Sequence, residues 1–143
     1  LPHRQETVFS NKSLLCINDS KATSFDASFQ SLSNYNKIYW IVGGLPKYRD
    51  HFNLNEVRKK IVKAYIVGEN ISFFKNQIKN NIKYKISKSI KNAVNDIHRD
   101  LKLSKNIKNT ILLSPAAASF DQFDNFEKRG IHFKNLITKK FNV

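Results

Sequence analysis

The sequence predicts an α/β fold, a sheet of about six mostly parallel strands with helices on both faces. Three observations predict it. Short apolar runs rich in β-branched and aromatic residues recur along the chain, and stretches with apolar residues three or four apart separate them. The 143 residues, 41% hydrophobic and 12% aromatic, are enough for one domain with a real core. Strands that alternate with helices need crossover connections, and so they pair in parallel.

Taken in order, ETVFSNKSLLCIN reads as a hairpin turning through Asn11 and Lys12, which adds one antiparallel strand at an edge. SLLCIN (13–18) is the first core strand, and FDASFQSLSNY (25–35) has the spacing of the helix that follows it. KIYWIVGG (37–44) is the next strand, LNEVRKKI (54–61) a short helix, and KAYIVG (63–68) the third core strand. NISFFKNQI (70–78) and SIKNAVNDIHRDL (89–101) are helices flanking the strand YKISKS (84–89). TILLS (110–114) is the last strand, and FEKRGIHFKNLITKKF (126–141) the last helix. The sum is a Rossmann-like three-layer sandwich.

Composition excludes several functions. No run of 18 apolar residues occurs, and LPHRQETVFS has neither the basic start nor the apolar stretch of a signal peptide, so a cytoplasmic protein without a membrane partner is expected. The single Cys16 sits in the apolar run LLCIN and reads as a buried spectator thiol. The four His residues are scattered, with no metal-ligand spacing, so no metal site is expected. Neither GxGxxG nor GxxxxGK[ST] is present, and Gly43-Gly44 alone reads as a tight turn. The formal charge of +14 raises the alternative of a stand-alone basic module for RNA or DNA. Twenty of the 25 basic residues are Lys, however, spread among Asn and Ile, and no zinc-finger, RRM or recognition-helix pattern accompanies them. A solvated basic surface with no nucleic-acid partner is the expectation.

In parallel sheets, ligands collect where the strands end and the helices begin. Three loops there stand out: NDSKATS, GGLPKYRD and SPAAASFDQF. The last lies in ILLSPAAASFDQFDNFEKRGIHF (111–133), which runs from a strand through small residues toward a helix start. Unpaired backbone N–H groups at such a start attract anions, and Ser114 and Ser119 add hydroxyl donors. A carboxylate or phosphate ligand is expected.

The motifs LPHRQE, NDSKAT, GGLPK and LLSPAAASFDQFDNFEKRG together resemble, in order, the C-terminal domain of the Mur ligase family, in its D-glutamate-adding branch. The resemblance runs from Leu1 to about Phe141, with little that is diagnostic between 55 and 108. It implies that residues 1–143 are a single amino-acid-binding domain of an ATP-dependent amide ligase whose N-terminal and central ATPase domains lie outside this chain. A start at Leu1 without Met is expected of such a segment. Another amide ligase of the same family, with a different amino acid, is the alternative within the fold.

The resemblance also implies roles for residues. Thr23 and Lys47 would hold one carboxylate of D-glutamate, with Lys21 as an additional donor, while Ser119 and the backbone N–H groups of Phe120 and Phe126 would hold the other. Arg4 would face the nucleotide from the hinge, and Asp19 would reach the ribose hydroxyls, both from solvent-facing loops. ATP and Mg²⁺ would be bound mainly by the central domain, and UDP-MurNAc-L-alanine would be the acceptor. No residue of this domain is assigned to catalysis, and the domain alone is expected to be inactive.

Overall fold

Six strands pair in the order β1-β2-β7-β3-β5-β6 in the computed structural model, which describes residues 1–141. The strands are β1 (Glu6–Ser10), β2 (Leu14–Asn18), β3 (Ile38–Gly43), β5 (Ile61–Val67), β6 (Tyr84–Lys88) and β7 (Asn109–Leu113). Only the β1–β2 pair is antiparallel. Its turn is closed by the Asn11 side chain, whose Oδ1 accepts from the N–H groups of Ser13 (2.9 Å) and Leu14 (2.8 Å). Two further strands, β4 (Leu45–Pro46) and β8 (Ala117–Ala118), form a separate antiparallel ribbon that the sequence reading did not foresee.

The side-chain alternation of the central strands divides the core in two. Ile38, Trp40 and Val42 of β3 face a cluster completed by Phe25 and Leu32 of α1 (Phe25–Asn34) and by Phe74 and Ile78 of α2 (Ile71–Ile78). Tyr39 and Ile41 face the other cluster, with Ile90, Val94 and Ile97 of α3 (Ile90–Leu101) and with Phe133 and Ile137 of α4 (Phe126–Phe141). Two helices thus cover each face, giving the three-layer α/β sandwich. Every residue of β3 and β7 is buried, as central strands covered on both faces must be. Cys16 lies fully buried in the second cluster, and burial pushes its thiol pKa up to about 12. Among the described residues, no helix is long and apolar enough to cross a membrane.

One predicted element is corrected. LNEVRKKI is not an α-helix: only Arg58–Lys60 form a single 3-10 turn, and Ile61 already opens β5 opposite Ile38. Strand pairing at Ile61 takes the residue that the helical pattern needed, so tertiary context overrides a weak local preference. Leu54 and Val57 are buried all the same, because they plug the first cluster from the loop.

Phe52 anchors that loop. Its ring stacks on Phe25 at 4.6 Å between centroids and meets Phe73 and Phe74 edge-on at 6.0 and 5.9 Å. Its N–H donates to Gln77 Oε1 (2.9 Å) on α2. Phe52→Ala should therefore cost about 3–5 kcal/mol in urea denaturation, with the denaturant slope little changed. A loss below about 1 kcal/mol would mean that the loop is not part of the core.

Candidate functional site

At the C-terminal end of the sheet the chain has almost no room. A Cβ on Gly43 would lie 2.0 Å from Val67 O, and one on Gly44 2.5 Å from Ala118 O, with both residues at positive φ. Glycine is required there by contact as well as by backbone angle. The crowding lets the strand after Gly44 turn into the β4–β8 ribbon, where Leu45 pairs with Ala118 and Pro46 with Ala117. The loop of Lys47 is thereby brought beside the loop of Ser119.

The third loop joins through two contacts. Ala117 N–H donates to Ala22 O (3.4 Å), and Phe25 N–H donates to Asp50 Oδ2 (2.8 Å), which ties the loop after Lys47 to the start of α1. Thr23 lies between these two attachments. Thr23 and Lys47 are exposed, Ser119 is buried, and Lys47 takes part in none of the ion pairs of the described residues. Ser119 O accepts the N–H groups of Gln122 (3.0 Å) and Phe123 (2.8 Å), so a turn separates it from α4. Asn125 caps that helix through Oδ1, which accepts from Lys128 N–H at 2.8 Å. Phe126 is the first residue of α4, where a backbone N–H has no intrahelical acceptor, while the Phe120 side chain stands in solvent.

On the other side of the β2–α1 loop lies a cleft of about 250 Å³ lined by Arg4, Gln5, Asp19, Lys21, Ala22, Ala27 and Gln30. Lys21 is thus grouped with Arg4 and Asp19, and its Nζ stands 5.9 Å from the centre of the Phe126 ring. Arg4 is exposed, as expected.

Asp19 is not solvent-facing. It is 3% exposed, and its carboxylate is engaged on both oxygens. Oδ1 accepts Gln5 N–H at 3.1 Å, and Oδ2 accepts Ser114 Oγ–H at 2.7 Å and the hydroxyl of Ser31. Ser114, expected to serve a ligand, is fully buried and committed to Asp19 instead, while its carbonyl accepts Trp40 Nε1–H at 2.7 Å. Burial pushes the Asp19 pKa up, and the hydrogen bonds from Ser31, Ser114 and Gln5 and the charge of Arg4 offset only part of that rise.

Sequence reasoning missed Arg129. It is buried, its Nε donates to Ser20 Oγ (2.9 Å) and its Nη2 to Ser20 O (2.6 Å), and Ser20 Oγ in turn donates to Phe126 O (2.7 Å). Nη1 is buried without a partner among the described residues. Burial lowers the Arg129 pKa to about 10, with the nearby charge of Asp121 opposing the shift. A signal was available: residues 126, 129, 130, 133 and 137 share the helical spacing of the apolar face, so an arginine at 129 had to be buried or to distort it.

Among known proteins, the chain is 43% identical over 138 residues to UDP-N-acetylmuramoylalanine–D-glutamate ligase of Rhodopseudomonas palustris strain HaA2, over 96% of this chain and 30% of that protein. It is 44% identical over 137 residues to the ligase of that name from Chelativorans sp. strain BNC1, and 40% identical over 133 residues to that from Agrobacterium fabrum strain C58. These matches cover 96% and 93% of the chain and 29% and 28% of the relatives, so the chain spans about three-tenths of their length. No protein-family model matches.

Two outcomes follow for Asp19. Asp19→Ala should lower stability by about 1–3 kcal/mol, because it leaves buried hydroxyls and an N–H without their acceptor. Since the folded pKa lies above the unfolded value of about 3.9, the folded state holds the proton more tightly. That contribution is full below the unfolded value and is lost as pH rises through the folded one. Urea denaturation from pH 4 to 7 should show wild-type stability falling relative to Asp19→Asn, and a wild-type stability that stays level or rises relative to that variant would contradict the raised pKa.

Proposed function

We propose that this chain, homologous over nearly its whole length to UDP-N-acetylmuramoylalanine–D-glutamate ligases, is the C-terminal domain of such an enzyme, a Mur ligase that binds D-glutamate and closes over the nucleotide. The observation that carries the reading is the convergence of three loops, bearing Thr23, Lys47 and Ser119, around the β4–β8 ribbon. A dicarboxylate needs two anion subsites a side chain apart, and these loops supply two kinds of donor. Lys47 offers a charge and Thr23 a directed hydroxyl for one carboxylate, with Lys21 as a further cation. The Ser119 hydroxyl and the N–H groups of Phe120 and Phe126 suit the other, and the small side chains of Ala116, Ala117 and Ala118 let backbone donors come close.

The reaction assigned to such a ligase uses ATP to phosphorylate the carboxylate of UDP-MurNAc-L-alanine with release of ADP, after which the D-glutamate amine attacks the acyl phosphate and, losing a proton, displaces inorganic phosphate to form the amide. On this reading the domain orients the amine and completes the nucleotide site. Arg4 suits phosphate by charge and geometry. Asp19 suits a ribose hydroxyl through Oδ1, which has accepted only one hydrogen bond and retains capacity for another. On the same reading Mg²⁺ is bound mainly by the central domain, outside this chain. The domain supplies binding and closure, the rest of the enzyme supplies the phosphate-binding loop, and the expected setting is peptidoglycan synthesis in the cytoplasm.

Steady-state kinetics of the complete enzyme test the assignment, with D-glutamate varied at saturating ATP and acceptor. Lys47→Ala should raise the KM for D-glutamate most, by about 10- to 150-fold, since a charged hydrogen bond is worth roughly 1.5–3 kcal/mol. Thr23→Ala and Ser119→Ala remove neutral donors and should cost on the order of 0.5–1.5 kcal/mol each. Unchanged D-glutamate dependence in both Lys47→Ala and Ser119→Ala would refute the two subsites.

A further inference from the structure

Gly130, one residue after Arg129 in the middle of a helix turn, is shaped around a residue at the other end of the chain. A Cβ there would lie 2.1 Å from His3 Nδ1, 2.8 Å from His3 Cε1 and 3.0 Å from Asn18 Nδ2. The imidazole therefore occupies the space an alanine would need. His3 is buried, and its ring meets that of Phe126 edge-on at 6.1 Å.

The hydrogen bonds fix how the ring sits. Asn18 Oδ1 accepts Ser20 N–H (3.2 Å), so its Nδ2 is the donor that reaches Glu6 Oε1 (3.0 Å) and His3 Nδ1 (2.9 Å). His3 Nδ1 accepts, and the ring proton belongs on Nε2. The backbone is pinned as well: His3 N–H donates to Glu6 Oε1 (3.2 Å), and His3 O accepts Lys21 N–H (2.9 Å). Lys134 of α4 holds the other Glu6 oxygen at 2.8 Å. Beyond Arg4, Gln5 N–H is tied to Asp19, and Asn34 Nδ2 donates to Gln5 Oε1 at 2.8 Å. His3 and Gln5 both stand at positive φ, 65° and 44°, a conformation that persists only where surrounding contacts hold it.

Arg4 is thus an exposed residue between two clamped ones. We propose that His3 seated on Gly130 is a latch that positions Arg4 over the cleft, making Gly130 and His3 positioning residues for the nucleotide although neither touches it. The same turn of α4 carries Phe126 and Arg129, so the latch joins the proposed amino-acid subsite to the hinge segment through one rigid element. This inference rests on the reading of Arg4 as a nucleotide ligand.

Gly130→Ala is the test, with two independent readouts. In the 143-residue chain, limited trypsin digestion should release residues 1–4 at Arg4–Gln5 about tenfold faster, measured against cleavage at Lys47–Tyr48, because cleavage follows the population of the released segment. In the complete enzyme, the KM for ATP should rise about tenfold while the KM for D-glutamate stays within about twofold. His3→Ala should match it in the ATP effect, and the double variant His3→Ala/Gly130→Ala should be no worse than His3→Ala alone, since removing the ring makes room for the methyl group. Unchanged cleavage at Arg4–Gln5 in folded Gly130→Ala overturns the latch. Equal rises in both KM values, or a double variant worse than either single one, overturn the positioning role. An unchanged KM for ATP in Arg4→Ala would instead overturn the nucleotide reading beneath it, leaving the cleavage rate to decide the latch.

Discussion

A buried carboxylate cannot be left unpaired, and the geometry of this domain's ligand-facing end follows from satisfying one. Asp19 directly follows β2, and its neighbours come from three other parts of the chain: Gln5 from the N-terminal segment, Ser31 from α1 and Ser114 directly after β7. Its own N–H donates to Leu113 O at 2.8 Å, which carries the β2–β7 pairing one step past the sheet. Ser114 passes the constraint on, because its carbonyl is held by Trp40 Nε1–H and by Ser28 Oγ–H (3.1 Å). In a low-dielectric interior each of these groups costs free energy unless it is paired, so the network is strong in proportion to how completely it is satisfied.

Ser20, the next residue, does for α4 what Asp19 does for α1. It accepts from Arg129 and donates to Phe126 O, so two adjacent residues of the β2–α1 loop tie down two helices on opposite faces of the sheet, α4 at its start and α1 through Ser31 near its end. This division explains why the site residues differ so much in burial. The groups that set backbone geometry (Asp19, Ser20, Ser114, Arg129) are buried, while Thr23, Lys47 and Arg4 are exposed at the ends of segments those groups hold. Preorganisation of this kind spares a ligand the cost of ordering the loops itself.

The sheet was legible because five of its strands are runs of β-branched, leucine and aromatic residues, and the turn at Asn11 has a side-chain mechanism. Observed strand limits differ from the expected ones by one or two residues, and α4 spans the expected 126–141. The helix expected at 54–61 failed because its three- and four-residue apolar spacing, Leu54, Val57 and Ile61, is equally that of a loop plugging a core and a strand beginning. The site was legible by motif but not by burial. Nothing local in NDSKAT says that its aspartate points inward, since Ser114 after β7 and Ser31 on α1 supply its partners only once the fold exists. The β4–β8 ribbon escaped for a similar reason: two-residue strands have no period to detect.

The formal charge of +14 needs to be separated from the few cations that matter for binding. Net charge speaks to solubility and association, not to a site, and of the lysines only Lys21 and Lys47 belong to the three converging loops. On β6, an edge strand, Lys85 and Lys88 are exposed on either side of the half-exposed Ile86, where charges discourage pairing with another chain. Lys85 is further used against Asp96, whose pKa burial would raise but which hydrogen bonds from Lys85 and Ser87 and the charges of Lys85 and Arg99 bring below the usual carboxylate range. Three exposed cations belong to the segments around the proposed site: Arg4 and Lys21 line the cleft beside Asp19, and Lys47 follows β4 directly. The organic substrates of the proposed reaction are anions, so the general charge favours their approach, and at these three positions loop geometry turns attraction into orientation.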